Sequence, residues 1–433
     1  MRGDRAFAAV MASLMLGIGV VFWAFPRSVW SELERRELLR FPAFSAERLL
    51  SGEFTADVSR WFSDSEPFRD RLLSLSMRLK AAESMAMGDE QVAFHASSSQ
   101  PVASDAVSAD SAALQPAEPT VDDNAKVTSS GVIVLGKAPH VRALMAFSGK
   151  ERGAAAYARV VSRYAAQLGQ GVQVYCMPVP TAVEFYCPAK ARSLTLPERP
   201  VLDHLFQSLS ADVTPVDIYD TLASHLAQPI YLRTDHHWSP LGAYYAARCF
   251  ARQAHVAVPD LRDFDEHRLE GYVGSMFGYS QDHAVKESPE DFVYYTPRLD
   301  YQVHYTVFTI DADYHIVGEG VERDGPFFVQ QPAGSSEAYS TFMGSDKRIT
   351  QVRVDASNAR RMLVIKDSFG NAVPGYLFGS FGEVHVLDFR YFPSSIRQYV
   401  AQHAITDVLF VNNLSHACSG GAARSYREWL DRD

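Results

Sequence analysis

The feature that most constrains the fold of this chain is a series of short apolar runs separated by amphipathic helical stretches. GVQVYCMPV at 171–179, MLVIK at 362–366, EVHVLDF at 383–389 and ITDVLFVNNL at 405–414 carry almost no alternation. A strand that is apolar on both sides needs cover on both sides, which a sheet in an open solvent-facing arrangement cannot give it. Helical patterns intervene at 150–168, in PVLDHLFQSL at 200–209 and over 240–254, while VTPVDIYDTL at 213–222 reads as a short strand entering a helix. The alternation predicts a mostly parallel sheet with helices on both faces. GVIVLGK at 131–137 reads as the first strand of this body, and 265–355, rich in Tyr, Val and Thr, as an antiparallel β-rich insertion carried by it.

The remaining boundaries follow from composition. Ala6 to Phe25 is uncharged (AFAAVMASLMLGIGVVFWAF), the length a membrane-spanning helix needs, and Arg2 and Arg5 precede it. No small-x-small cleavage pattern follows, so an uncleaved signal anchor is expected over 1–30. Arg27, Arg35, Arg36 and Arg40 lie beyond the span, against the usual charge bias, but long domains translocate largely regardless of it. The expected location is therefore the cell membrane, with a single anchor and an extracytoplasmic body. Residues 31–95 read as a charged helical segment and 96–130, rich in Ala, Ser, Pro, Asp and Val, as a disordered linker. The α/β body then occupies 131–264 and 356–433 on either side of the insertion.

A formal net charge of -10 without a basic stripe argues against nucleic acid as a partner. Four cysteines with no CxxC spacing give neither a disulfide scaffold nor a zinc site. Cys176 and Cys187 flank a turn and are read either as a disulfide or as two buried thiols.

The chemistry concentrates in two places. Thr234-Asp235-His236-His237-Trp238 stands just before Ser239 and Pro240, a good N-cap and first helical residue, so the motif lies in the turn entering a helix. A carboxylate two residues from a histidine can fix that ring's tautomer and orientation. In MLVIKDSFGN, Ser368 follows an apolar strand and precedes Gly370, at the carboxyl end of a strand where open α/β sheets place their reactive groups. The turn after it is read as leading to a helix, with main-chain N–H groups from Ser368 to Gly370 aimed at a developing oxyanion. A turn or cap role alone would also explain Asp367 and Ser368.

Together these motifs make the chain recognisable. It resembles the DHHW protein family, named for the tetrad Asp235 to Trp238. SELERRELLRFPAF…SGEF…WFSDSEPFRDR at 31–71, VYCMPVPTAVEFYCP at 174–188 and YVGSMFGYS at 272–280 carry the resemblance further. So do IKDSFGNAVPGYL at 365–377, VLDFRYF at 386–392 and FVNNLS at 410–415. That family is similar to alginate O-acetyltransferase-like proteins with an SGNH-hydrolase-like fold, a three-layer α/β/α sandwich. There an Asp-x-His pair precedes the serine, the reverse of the order in ordinary SGNH hydrolases. The resemblance implies Asp235 as orienting acid, His237 as general base and Ser368 as nucleophile, with His236 at a variable position.

The activity so implied is O-acetyl transfer to, or acetyl-ester hydrolysis on, a bacterial surface polysaccharide or exopolysaccharide, with a membrane-bound acyltransferase as acetyl donor. Tyr272, Tyr279 and Trp238 are candidates for stacking on sugar rings, though core packing explains each one, and Trp238 is expected to pack the turn. Arg390 is a candidate for an anionic substrate group or a structural ion pair. Asn412 and Asn413 are oxyanion or turn-cap candidates. The alternative is a non-catalytic polysaccharide-binding or envelope-assembly protein with a vestigial triad. A metal site at Asp235, His236 and His237 is disfavoured, because adjacent histidines in a turn rarely meet one ion and no HExxH accompanies them. No cofactor is expected.

Overall fold

The computed structural model describes residues 129–432 apart from Gln170, 311–315, Ser345, Lys347, 356–358 and Phe389. It also describes 92–96, 36–68 apart from Ser51 and Glu66, and Phe25, Arg27, Trp30 and Ser31. The expected anchor, but for Phe25, Arg27 and Trp30, and the linker, but for its ends, lie outside the described residues. Among the described residues no helix is long and apolar enough to cross a membrane.

The chain divides into two compact units. The smaller covers 1–88 and 118–121. It pairs β1 (Trp30–Ser31) with β2 (Arg36–Glu37) and carries helices Ala46–Leu50 and Glu53–Asp64. Trp61 is its buried anchor, with Phe41 edge-on at 4.8 Å and the Arg27 guanidinium over the indole at 4.2 Å.

The larger unit holds the rest of the chain. β3 (Val92–Ala96), β4 (Ser129–Leu135) and β5 (Arg142–Phe147) form a separate antiparallel sheet, so the run expected to open the body lies in a sheet of its own. The central sheet draws on β6 (Gln173–Val179), β7 (Val213–Pro215), β10 (Tyr301–Ile310), β11 (Ile316–Asp324), β12 (Arg348–Val354), β13 (Arg361–Lys366), β14 (Glu383–Asp388) and β15 (Asp407–Asn413). Their order is β11-β10-β12-β14-β13-β15-β6-β7. The sheet is parallel from β14 to β7 and antiparallel from β11 to β14. It is thus a mixed sheet rather than a mostly parallel one, because three strands of the 265–355 stretch extend it at one edge. The other two, β8 (Phe264–Tyr272) and β9 (Glu290–Pro297), pair only with each other.

Helices cover both faces of the parallel half. Phe410 on β15 meets the rings of Tyr157 and Tyr164 from the helix Glu151–Leu168. Its neighbour Leu409 is opposite Tyr175 on β6, whose ring meets Phe250 of the helix Pro240–Ala254. Successive side chains point to opposite faces, so these two helices lie on opposite sides. Every residue of β15 is buried, as an apolar run without alternation requires. The cysteines are buried free thiols, Cys176 and Cys187 included.

Candidate active site

The TDHHW turn is fixed at its exit by the helix behind it. That helix begins at Pro240, and Ser239 caps it by accepting from the Gly242 amide at 3.2 Å, as the sequence predicts. Trp238 is fully buried and donates its indole N–H to the Phe369 carbonyl at 2.9 Å. This ties the turn to the segment that carries Ser368, and makes Trp238 a packing residue rather than a sugar platform.

His237 Nε2 lies 2.7 Å from Ser368 Oγ, and His237 Nδ1 lies 2.6 Å from Asp235 Oδ1. An ionised carboxylate only accepts, so Nδ1 carries the proton and Nε2 is left to accept from the serine hydroxyl. Asp235 Oδ1 also accepts from the His237 amide at 2.9 Å. Asp235 Oδ2 accepts from Tyr272 OH at 2.7 Å and from the Ser275 amide at 2.8 Å. Burial alone would raise this carboxyl, but the His237 imidazole and the donors around it outweigh burial and hold it well below the usual carboxylate range. Gly274 is required here by contact, since a Cβ would stand 2.3 Å from Asp235 Cβ. The face of the His237 ring lies on Tyr339, centroids 3.9 Å apart and planes 9° apart.

A largely buried acid from a distant strand secures the turn at its entrance. Glu290 on β9 accepts from the amides of Arg233 and Thr234 and from Thr234 Oγ1, at 2.6 to 2.9 Å. Thr234 Oγ1 in turn accepts from the Gly274 amide at 3.1 Å. Glu290, Ser275, Tyr339 and the hydroxyl role of Tyr272 were not legible in the sequence. Their partners lie tens of residues away, and no local spacing signals them.

Ser368 opens a 3-10 segment, Ser368–Ala372, followed by another, Pro374–Ser380, where the sequence suggested a helix. Pro374 removes a backbone donor just where an α-helix would need it. The turn consumes two of the amides expected to face an oxyanion, those of Phe369 and Gly370. Phe369 N donates to Asp367 Oδ1 at 3.0 Å and Gly370 N to the Asp367 carbonyl at 2.9 Å. Gly370 therefore shapes the turn and is not an oxyanion donor. Asn412 is also corrected, because its side chain is committed in the core: Oδ1 accepts from Tyr157 OH at 2.6 Å and Nδ2 donates to Tyr426 OH at 2.8 Å. Asn413 holds Asp367 through its amide and Nδ2, at 2.8 and 3.0 Å, and caps the next turn.

Of the two readings of Arg390, the ion pair is the one found, and the substrate reading is corrected. The guanidinium binds Asp388 at 2.8 and 2.9 Å and Asp346 at 2.9 Å. Lys366, buried at the end of β13, joins the same two acids at 2.7 and 2.8 Å. Two cations and two carboxylates thus neutralise one another beneath the Ser368 turn. Burial opposes the Lys366 charge, yet Asp346 and Asp388 raise its pKa above the ordinary value.

His236 packs its ring 3.8 Å from that of His237, and its Nδ1 lies 2.7 Å from Ser275 Oγ. Tyr279, half-buried, meets His236 edge-on at 5.8 Å, in the site but beside the second histidine. Donor atoms of Asp235, His236 and His237 lie within 4.8 Å of one another. A cation there would have to take Nδ1 from Asp235 or Nε2 from Ser368, and so dismantle the hydrogen bonds just described.

A sequence model of the DHHW protein family matches residues 83–387. A solved DHHW family protein from Eubacterium siraeum is 33% identical, covering 69% of this chain and 96% of that one, with a TM-score of 0.62. Bacillus cereus PatB1 is 22% identical, covering 68% of this chain and 99% of that one, with a TM-score of 0.54, a likeness of fold. The same protein solved with a sulfonyl adduct is 21% identical over 68% and 98% of the two chains, also at 0.54. Comparison with curated proteins finds no match.

Proposed function

The chain belongs to the DHHW protein family, and from that premise we propose that it is a serine acyltransferase or esterase, acting as an O-acetyltransferase or acetylesterase on a cell-surface polysaccharide. The observation that carries this reading is the continuous relay Asp235–His237–Ser368, closed at 2.6 and 2.7 Å. His237 Nε2 takes the proton of Ser368 Oγ as the oxygen adds to an acyl carbonyl, and Asp235 steadies the imidazolium. The imidazolium returns that proton to the leaving oxygen, which leaves the acyl group on Ser368. A sugar hydroxyl or water then loses its proton to His237 and attacks the acyl-serine, and the imidazolium gives that proton back to Ser368 Oγ as the acyl–oxygen bond breaks, which frees the enzyme.

The body is read as a three-layer sandwich of the SGNH-hydrolase type, supported by helices on both sheet faces and by a serine directly beyond β13. The uncharged run from Ala6 supports an anchored, extracytoplasmic placement and a membrane-bound acetyl donor. Protease treatment of intact spheroplasts is expected to digest the body, and full protection would overturn the placement.

Ser368→Ala is expected to lower turnover of a chromogenic acetyl ester by about a thousandfold or more while leaving the melting temperature in place. An unchanged rate would remove Ser368 from the mechanism. A sulfonyl fluoride is expected to label Ser368 in the wild type and not in His237→Ala, because the base activates the hydroxyl.

A further inference from the structure

Away from the relay, the antiparallel half of the central sheet leaves one face open beside the helix Ile396–Gln402. A cavity of about 1250 Å³ runs along it and shares no residue with Asp235, His237 or Ser368. Period-two alternation puts His304, Thr306 and Phe308 of β10 on this face. Cross-strand pairing sets Asp324 and Gln351 on either side of His304, and Glu322 and Ile349 on either side of Thr306.

The trough has an apolar floor and a polar rim. Phe308, Ile349 and Tyr399 are buried along it, while Gln302, Glu322, Asp324 and Arg353 are exposed. Gly320 keeps it open, since a Cβ there would stand 2.4 Å from Thr306 Cγ2 and 2.9 Å from Phe308 Cε1. The rim is held in place before any ligand arrives. His304 Nδ1 lies 2.9 Å from Asp324 Oδ1 and His304 Nε2 lies 2.5 Å from Glu322 Oε2, while Thr306 Oγ1 donates to Glu322 Oε1 at 2.9 Å.

We propose that this trough binds an uncharged glycan chain. A sugar ring has C–H faces that suit the apolar floor and hydroxyl edges that suit amides, carboxylates and a hydroxyl on the rim. The volume exceeds the roughly 300–1,000 Å³ of a small-molecule pocket, which favours an extended ligand. Glu319, Glu322 and Asp324 line one side, with His304 between the last two and Arg353 across the rim, and this excess of acid disfavours a polyanion. The inference adds a retention site to the acyl-transfer reading, and its test does not depend on Ser368.

The full chain is titrated calorimetrically with cellohexaose and chitohexaose, both uncharged, and with hexagalacturonate, an anionic chain of equal length. Saturable binding of an uncharged hexamer is expected, with hexagalacturonate weaker by about tenfold or more. Gln302→Ala with Arg353→Ala, at exposed positions, and Thr306→Arg, which fills the trough, are each expected to weaken it by about fivefold or more. These variants keep wild-type turnover of the small ester, and Ser368→Ala keeps wild-type glycan binding. Absence of binding to either uncharged hexamer, equal affinity for hexagalacturonate, or indifference to the trough variants would overturn the proposal. Self-association that these variants abolish would assign the face to a second copy and overturn it as well. Glycan binding by a protein with no ester turnover would defeat the acyl-transfer reading and leave this one standing.

Discussion

In the parallel half of the central sheet, β15 is buried at all of its positions; in the antiparallel half, β11 is exposed at most of its own. The strands share one hydrogen-bonded sheet but meet different surroundings. Helices enclose the first on both sides, so its interior is dry and each polar group there must find a partner. That enclosure lets a carboxylate, an imidazole and a hydroxyl stand in fixed register. The open face of β10 to β12 keeps its acids and amides hydrated, which suits reversible contact with a polymer. Predictions that touch the two halves should therefore differ in kind, the first losing chemistry or stability and the second neither.

The sharpest test of the enclosed half is Asp235→Asn. Four donors converge on this carboxylate: the His237 amide, His237 Nδ1, Tyr272 OH and the Ser275 amide. Asparagine has one acceptor oxygen for them. If the amide nitrogen faces His237, the ring must take the tautomer with Nε2 protonated, and Ser368 loses its base. If it faces Ser275, that amide is left unpaired. Turnover of an acetyl ester is expected to fall by up to about 10⁴-fold with little change in substrate KM. A loss below about tenfold would show that the acid does not set the tautomer.

Lys366→Met tests whether the ion network under the Ser368 turn is structural. It leaves Arg390 as the cation beside Asp346 and Asp388, with Asn371 Nδ2 still donating to Asp346 at 2.9 Å. Removing one partner of a buried pair costs about 3–5 kcal/mol, to be read from urea unfolding. A cost near zero would mean that water reaches these acids, and that the parallel half is less enclosed than its burial implies.

A paired substitution compares the halves directly. Leu409→Ala on β15 empties a fully buried site and is expected to cost about 2–5 kcal/mol. Val321→Ala on β11, 63% exposed, should stay within about 0.5 kcal/mol. Similar costs for the two would erase the distinction.

The same contrast explains what the sequence could show. Runs such as DVLFVNN announce enclosure by lacking alternation, so the parallel strands, the helix start at Ser239–Pro240 and the three relay residues were all legible from local pattern and family resemblance. Strand order was not, because YQVHYTVFTI alternates as a strand in any antiparallel sheet would, and nothing in it says that β12 will dock on β14. The candidates Gly370, Asn412 and Arg390 were placed by their position at strand ends. Their partners Asp367, Tyr157, Tyr426, Asp346 and Asp388 decide their roles, and apart from the sequence neighbours Asp367 and Asp388 these are brought in by tertiary packing. Glu290 escaped notice for the same reason.

The smallest expected effect concerns an acid beyond the carboxyl end of β6. Glu198 is fully buried, accepts from the Thr181 amide at 2.8 Å and from the Thr181 hydroxyl, and burial pushes its carboxyl up to about 8. An unfolded glutamate ionises near its ordinary value, about 4.3. Between that value and 8 the folded chain keeps a proton that the unfolded chain releases, so stability falls as pH rises through this window and levels off above it. Glu198→Gln keeps the neutral shape, with a carbonyl for the Thr181 amide and an N–H for its hydroxyl. It should therefore raise the melting temperature at pH 8 relative to wild type by more than at pH 5, in scanning calorimetry across that range. A shift of equal size at both ends would mean that Glu198 is ionised in the folded chain. The parallel half would then have to solvate a charge at its rim much as the open half does.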